Sequence, residues 1–156
     1  MGELTPLTNL MDAMHQWLGT PYHPQASLRG VGVDCSGLHR GVARDLGWDM
    51  PPVPEPHATI LLAPDWMKHT TREVFLEAFL ASGLTTLQPD NLYQQGDILL
   101  FGFGTAPASH AAWCTSLIPP TMIHAVIRQA VVQTPITPAW QARLRYVLRL
   151  TGVQDE

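Results

Sequence analysis

The stretch from Gly30 to Gly47, GVGVDCSGLHRGVARDLG, holds one of only two cysteines among 156 residues. Two glycines approach it, Asp34 and Ser36 flank it, and Leu38, Val42 and Leu46 follow at helical spacing until Gly47 closes the run. With Asp34 as N-cap, Cys35 is the first helical residue. Its sulfur then lies at the positive end of the helix dipole, which lowers a thiol pKa. The unbonded N–H groups of the first turn point to the same place and can hold an oxyanion formed when a thiolate attacks a carbonyl. Gly37 leaves room for a substrate to approach, although a glycine costs the helix about 1 kcal/mol. A free cysteine is also commonly a small buried hydrophobe. On this stretch alone both readings stay open.

Upstream, LTNLMDAMHQWLG sets Leu7, Leu10, Met11, Met14, Trp17 and Leu18 on a helical stripe that Gly19 ends, and TPYHPQASLRGVGV reads as a loop. Downstream, Pro51, Pro52, Pro54, Pro56 and Pro64 forbid long regular structure. The run TTREVFLEAFLASG predicts a helix with Thr70 or Thr71 as cap, Glu73 in the first turn, and Val74, Phe75, Ala78 and Phe79 on one face. After it the period changes. GDILLF, SHAAWCTS, TMIHAVI and AVVQT are short, β-rich and separated by turns, which predicts an antiparallel meander; TPAWQARL reads as a short helix and RYVLRL as a last strand. Helices first and strands second give an α+β layer fold, in one domain spanning 1–156.

A thiol nucleophile needs a base, and the chain has seven histidines. His15 packs or faces solvent on the first helix. His23 and His57 lie in Pro-rich loops, His69 neighbours a cap, and His39 lies a turn along the cysteine's own helix, off its mouth. His110 and His124 differ: each sits inside a predicted strand, and neighbouring antiparallel strands can bring two such residues side by side. A histidine in an apolar strand costs stability unless paired. By themselves the two read as satisfied core histidines. With Cys35 they complete a nucleophile, a base and an orienter.

The blocks GTPY, GVDCSGL, QQGDILLF, SHAAW and MIHA, in this order across residues 8–150, resemble the NlpC/P60 family of cysteine peptidases. The resemblance implies a papain-like α+β fold, N-terminal helices packed on an antiparallel sheet of five or six strands. It implies Cys35 as nucleophile, His110 as general base and His124 as the residue that orients the imidazole. It sets Tyr22, Asp34 and Ser36 at the substrate and oxyanion side. The implied activity is hydrolysis of peptidoglycan stem peptides, between D-γ-glutamyl and a diamino acid. The short form is most similar to phage and prophage peptidases linked to tail genes, which implies a tail or secretion protein as partner. Two features depart from the family pattern. YHPQASLRG replaces the usual Y.WGG, so that wall of the cleft is built differently, and GFGTAPASH reads as a mobile rim.

Composition bounds the alternatives. Nine Lys and Arg against thirteen Asp and Glu give a net charge of −4, with no basic run, so nucleic-acid binding has no electrostatic footprint. No apolar stretch approaches the roughly 18–20 residues that span a bilayer. The N-terminus lacks the pattern of a secretory signal, and no residues remain for an SH3-like or LysM-like domain. The expectation is therefore cytoplasmic synthesis with free thiols, and delivery to the virion tail or periplasm by something else. No CxxC, HExxH or spaced Cys/His quartet points to zinc, and no cofactor is implied. Cys114 lies four residues after His110, about 13 Å along a strand at ~3.3 Å per residue, and reads as core. A Cys35–Cys114 disulfide would silence the nucleophile. Two further readings share the residues: an amidase or acyltransferase, since the set specifies acyl transfer and not the acceptor, and a non-catalytic tail-assembly component, whose Cys35 would behave as an ordinary thiol.

Overall fold

The computed structural model describes residues 3–154. Strand β1 (Thr5–Pro6) leads into helix α1 (Leu7–His15), whose apolar stripe buries Leu10 and Met14. The stripe continues past the helix to the fully buried Trp17, while Leu18 faces solvent, and Gly19 takes the left-handed conformation that a helix exit favours. The loop that follows is more ordered than its composition predicts: Ser27–Leu28 (β2) and Gly32–Val33 (β3) form a small hairpin. Helix α2 (Cys35–Asp45) comes next, ended by Gly47 at φ 74°.

The Pro-rich segment holds one helical turn, α3 (His57–Ile60), and a 3-10 turn at Trp66–Lys68. Helix α4 (Val74–Ala81) starts later than the predicted threonine cap. Thr70 Oγ1 instead accepts from Arg72 N (3.1 Å), and the residue at the N-cap, Glu73, makes no capping bond. Its carboxylate accepts from Ala108 N at 3.1 Å, so the tertiary partner wins over the local cap.

Strands β4 (Thr85–Leu87), β5 (Ile98–Phe101), β6 (His110–Leu117), β7 (Pro120–Ala125) and β8 (Val131–Pro135), a turn of helix α5 (Pro138–Gln141), and strands β9 (Leu144–Leu150) and β10 (Val153–Gln154) complete the chain. Among the described residues, six strands form one antiparallel sheet in the order β4-β9-β5-β6-β7-β8. The meander is therefore β5 to β8. The last long strand crosses back to the free side of β5, and β4 covers its far edge. The α+β architecture of helices on a six-stranded sheet is as the sequence predicts.

Two apolar layers cover the sheet. On one face Leu10, Met14, Trp17, Leu38 and Val42 of the helical layer meet Leu100, Trp113, Ile123 and Leu148. On the other, Leu99, Phe101, Ala112, Met122 and Val147 pack around Cys114, which is core as expected. Each such Val, Leu, Ile, Phe or Met side chain, fully buried, contributes about 1.5–3 kcal/mol. Gly41 lets α1 and α2 approach: a Cβ there would sit 2.2 Å from the Trp17 ring. Trp17 Nε1 donates to Asp45 Oδ2 at 2.8 Å, which pins the end of α2 to the same indole. This packing fixes where the start of α2 meets the start of β6.

Candidate active site

Cys35 opens α2, as the sequence predicts, with Asp34 as its N-cap. Asp34 Oδ1 accepts from Gly37 N at 2.6 Å and from Ser36 Oγ at 3.2 Å, and its Oδ2 accepts from Gln25 N at 2.7 Å. Asp34 and Ser36 thus line the cleft while their side chains fasten the helix start to the preceding loop. Gly37 serves that loop and not a substrate: a Cβ there would stand 2.1 Å from the Ala26 carbonyl oxygen. The expected space for a ligand at Gly37 is filled by the chain itself.

The thiol reaches across to β6. Cys35 Sγ lies 3.8 Å from the carbonyl oxygen of Ser109, and the N–H of Ala111 bears on the sulfur. These are the two neighbours of His110. His110 Nε2 lies 2.8 Å from His124 Nδ1, and His124 Nε2 lies 2.9 Å from Thr134 Oγ1. Strand register explains the chain of contacts. Trp113 pairs with Ile123, and one step on His124 faces Ala112, diagonal to His110 on one face. On the other side His124 pairs with Val132, two residues from Thr134. One tautomer set satisfies all three: His110 Nε2–H donates to His124, His124 Nε2–H donates to the threonine hydroxyl, and His110 Nδ1 is left to take a proton.

Sequence reading missed Thr134 and Trp140. The Trp140 ring stacks on His110 with centroids 5.3 Å apart and meets His124 edge-on at 5.4 Å. It holds both imidazoles from the side. Thr134 carries no signal of its own until the β7–β8 register is known, and TPAWQARL marks a helix without showing which face meets the sheet.

The electrostatics oppose the expected low thiol pKa. Burial, then the Asp34 charge, pushes Cys35 up to about 12, against the downward pull of the N–H groups of Ala111, Ser36 and Cys35. Burial, then His124 and His39, holds His110 down at about 3; burial holds His124 at about 4. Burial thus favours the neutral forms of both the Cys35 thiol and the His110 imidazole. The helix start still supplies its donors, but desolvation of the sulfur outweighs them. Such a pair can carry out acyl transfer with the proton leaving sulfur as the carbon–sulfur bond forms.

Tyr22 joins this site. Its N–H donates to Gln129 O at 3.1 Å and it bridges to Val33. Burial first, then Cys35 and Asp34, raises its hydroxyl to about 12, so it remains a neutral donor. Cys35, Tyr22, Asp34 and Ser36 share a cleft of about 400 Å³, whose opposite wall is Leu61, Trp66 and Met67 of the Pro-rich segment with Phe75 of α4. Gln25 Nε2 donates to Leu62 O at 2.7 Å and ties the two walls at one end. Residues 102–109 are clamped and not a mobile rim. Arg145 donates to Gly104 O (2.6 Å) and Ala106 O (3.2 Å), and Glu73 holds Ala108.

His39 is buried under the cysteine: its Nδ1 lies 2.9 Å from Cys35 O, and its ring stacks on Trp113 with centroids 4.6 Å apart. Both cysteines are free. Among the described residues, no three His, Cys, Asp or Glu side chains gather as metal ligands, and no helix is long and apolar enough to cross a membrane.

The fold recurs in solved structures. A protein described as similar to lipoprotein, of the NLP/P60 family, from Staphylococcus aureus subsp. aureus Mu50 matches 95% of this chain with a TM-score of 0.62 at 18% identity. The fold is that of the NlpC/P60 proteins. An NlpC/P60 family protein from Bacillus cereus ATCC 10987 matches 94% of the chain with a TM-score of 0.63 at 19% identity. In each of these two the chain spans only 41% of the other protein. The NlpC/P60 domain of the peptidoglycan hydrolase SagA matches 92% of the chain, and 98% of itself, with a TM-score of 0.59 at 18% identity. No family model and no curated protein matches the sequence.

Proposed function

We propose that this chain is an NlpC/P60-type cysteine peptidase that hydrolyses peptidoglycan stem peptides at the D-γ-glutamyl–diamino acid bond. The observation that carries the reading is the meeting of Cys35 Sγ with the residues either side of His110, whose far nitrogen is held 2.8 Å from His124. The NlpC/P60 fold, and the presence of a peptidoglycan hydrolase domain among the structures that share it, support the substrate class.

In the proposed reaction the Cys35 sulfur attacks the γ-carbonyl carbon while His110 Nδ1 takes the thiol proton. The carbonyl oxygen becomes an oxyanion held by the N–H groups at the start of α2 and, from the other side, by the Tyr22 hydroxyl. As the intermediate collapses, His110 gives the proton to the departing amine and a thioester remains. Water, deprotonated by His110, then attacks the thioester, releasing the carboxylate and returning the thiol. His124 and Thr134 hold the imidazole in the tautomer this cycle needs. Delivery belongs to the same proposal: the sequence resemblance to tail-linked phage and prophage peptidases supports a partner that carries this domain to the wall.

The test is to incubate the protein with purified peptidoglycan and soluble stem peptides and weigh the products. Cleavage between D-γ-glutamyl and the diamino acid, absent in Cys35→Ala, is the expected result. Products joined to an added amine would make the enzyme an acyltransferase. Cleavage confined to ordinary L-peptide bonds in casein would overturn the substrate assignment, and a Cys35→Ala protein as active as the original would overturn the mechanism.

A further inference from the structure

Among the described residues that line the cleft around Cys35, Arg128 is the only cation. The acid on the same wall, Asp34, has its carboxylate taken up by Gly37, Ser36 and Gln25. Arg128 has no ion pair or side-chain hydrogen bond among the described residues, so its guanidinium is open to a ligand.

The backbone around it is fixed. Arg128 sits in the β7–β8 turn, closed by Val126 N to Ala130 O (3.0 Å) and Gln129 N to Val126 O (3.0 Å). Tyr22 N donates to the same turn at Gln129 O (3.1 Å), and Val33 N donates to Pro21 O (3.0 Å). Arg128, Tyr22 and the entry to α2 therefore ride on one hydrogen-bonded ribbon. Arg128 stands at φ 64°, a conformation that favours glycine or asparagine. A long cationic side chain stands where a small residue fits more easily.

The two walls differ in chemistry. One is polar with a single positive charge, and the other is apolar. A γ-linked glutamyl residue suits that division. Its scissile carbonyl is on the side chain, its methylene groups are apolar, and its α-carboxylate stays free a few bonds away. An α-linked peptide has no carboxylate at that place. We infer that Arg128 is a specificity-determining residue that binds the free carboxylate of a γ-glutamyl substrate beside the scissile bond. The inference rests on the proposed substrate class, and it adds the residue that tells a γ-linked acid from its amidated or α-linked counterparts.

The probe pair is L-Ala-γ-D-Glu-diamino acid tripeptide and the same peptide with the glutamyl α-carboxylate converted to the amide. Binding of each is measured by calorimetry to the full chain carrying Cys35→Ala, with and without Arg128→Gln or Arg128→Lys. The acid should bind about tenfold more tightly than the amide while Arg128 is present, in keeping with a charge-assisted hydrogen bond. The ratio should fall to about one in Arg128→Gln and stay intermediate in Arg128→Lys, and added salt should shrink it. Equal affinities with Arg128 in place, a preference that survives Arg128→Gln, or no binding of either peptide overturns the inference. Hydrolysis by the unsubstituted protein is scored separately. If it cleaves neither peptide, the proposed reaction falls, while Arg128 is still judged on the binding ratio.

Discussion

His110 and His124 sit on adjacent strands, diagonal in register, with Nε2 of the first 2.8 Å from Nδ1 of the second. The contact uses His110 Nε2 and leaves Nδ1 free for the part of base that the proposed reaction gives it. With His110 Nε2 donating, His124 accepts at Nδ1 and gives its own proton to Thr134.

The two histidines should therefore respond differently to an amide. In the proposed reaction His110→Gln removes the group that takes the thiol proton, and a loss of about a hundredfold or more in kcat is expected. His124→Gln keeps an acceptor in reach and should retain more activity than His124→Ala. Steady-state kinetics on a γ-D-glutamyl peptide would check both. Near-normal turnover by His110→Gln would reverse the assignment of base and orienter.

Thr134 should matter through orientation and not through binding. Thr134→Val keeps the shape but leaves the His124 Nε2–H without its acceptor, and the expected cost is about tenfold in kcat with KM little changed. Thr134→Ser should restore most of the rate. A change confined to KM, or an equal loss in Thr134→Ser, would mean that the hydroxyl does not act through His124.

Much of this site is legible in the sequence because it is local. Asp34 before Cys35, with a helical period after it, fixes the cap, the helix start and the position of the sulfur. The β-rich blocks likewise reveal the strands that carry His110 and His124. What the sequence hides is register and long-range partnership. Thr134 meets His124 only through the pairing of β7 with β8, and β9 leaves the meander to pair with β5. Glu73 looks like a first-turn acid but reaches Ala108, thirty-five residues on. Gly37 looks like an opening for substrate because a sequence does not show the Ala26 carbonyl that fills the space. The thiol pKa depends on the same kind of information. The helix dipole is visible in the sequence, whereas the desolvation that overrides it comes from the assembled cleft.

The neutral resting pair has a kinetic signature. The unliganded protein should show no thiolate absorbance at pH 6, and iodoacetamide should alkylate Cys35 there no faster than it does a free cysteine. In the proposed reaction His110 acts in its deprotonated form, so the acid limb of kcat/KM should lie well below the ordinary histidine range, toward its value of about 3. A thiolate signal at pH 6, or an acid limb near pH 6.5, would establish a preformed ion pair instead.

Acid stability should be set by the buried histidines, with His39 the clearest case. Its ring is 2% exposed, stacked on Trp113, and burial holds its pKa at about 4 against an ordinary 6.5. Between those values the unfolded chain binds a proton that the folded chain refuses, so stability must fall as pH drops from 6.5 toward 4. Above pH 6.5 both states are neutral and the stability is fully present; below 4 the loss levels off. For His39 the full loss is about 3 kcal/mol. His110 and His124 act in the same direction, their values also lying below the ordinary range. Replacing the ring with an apolar group, His39→Leu, removes one of these titrations. Its stability at pH 7.5 should be lower, because the contact with Cys35 O and the stack on Trp113 are lost. The difference between pH 7.5 and pH 4.5 should nevertheless be smaller than in the original protein. Urea midpoints at the two pH values measure that difference. An equal or steeper loss in His39→Leu would show that the ring is protonated within the fold and that the acid sensitivity lies elsewhere.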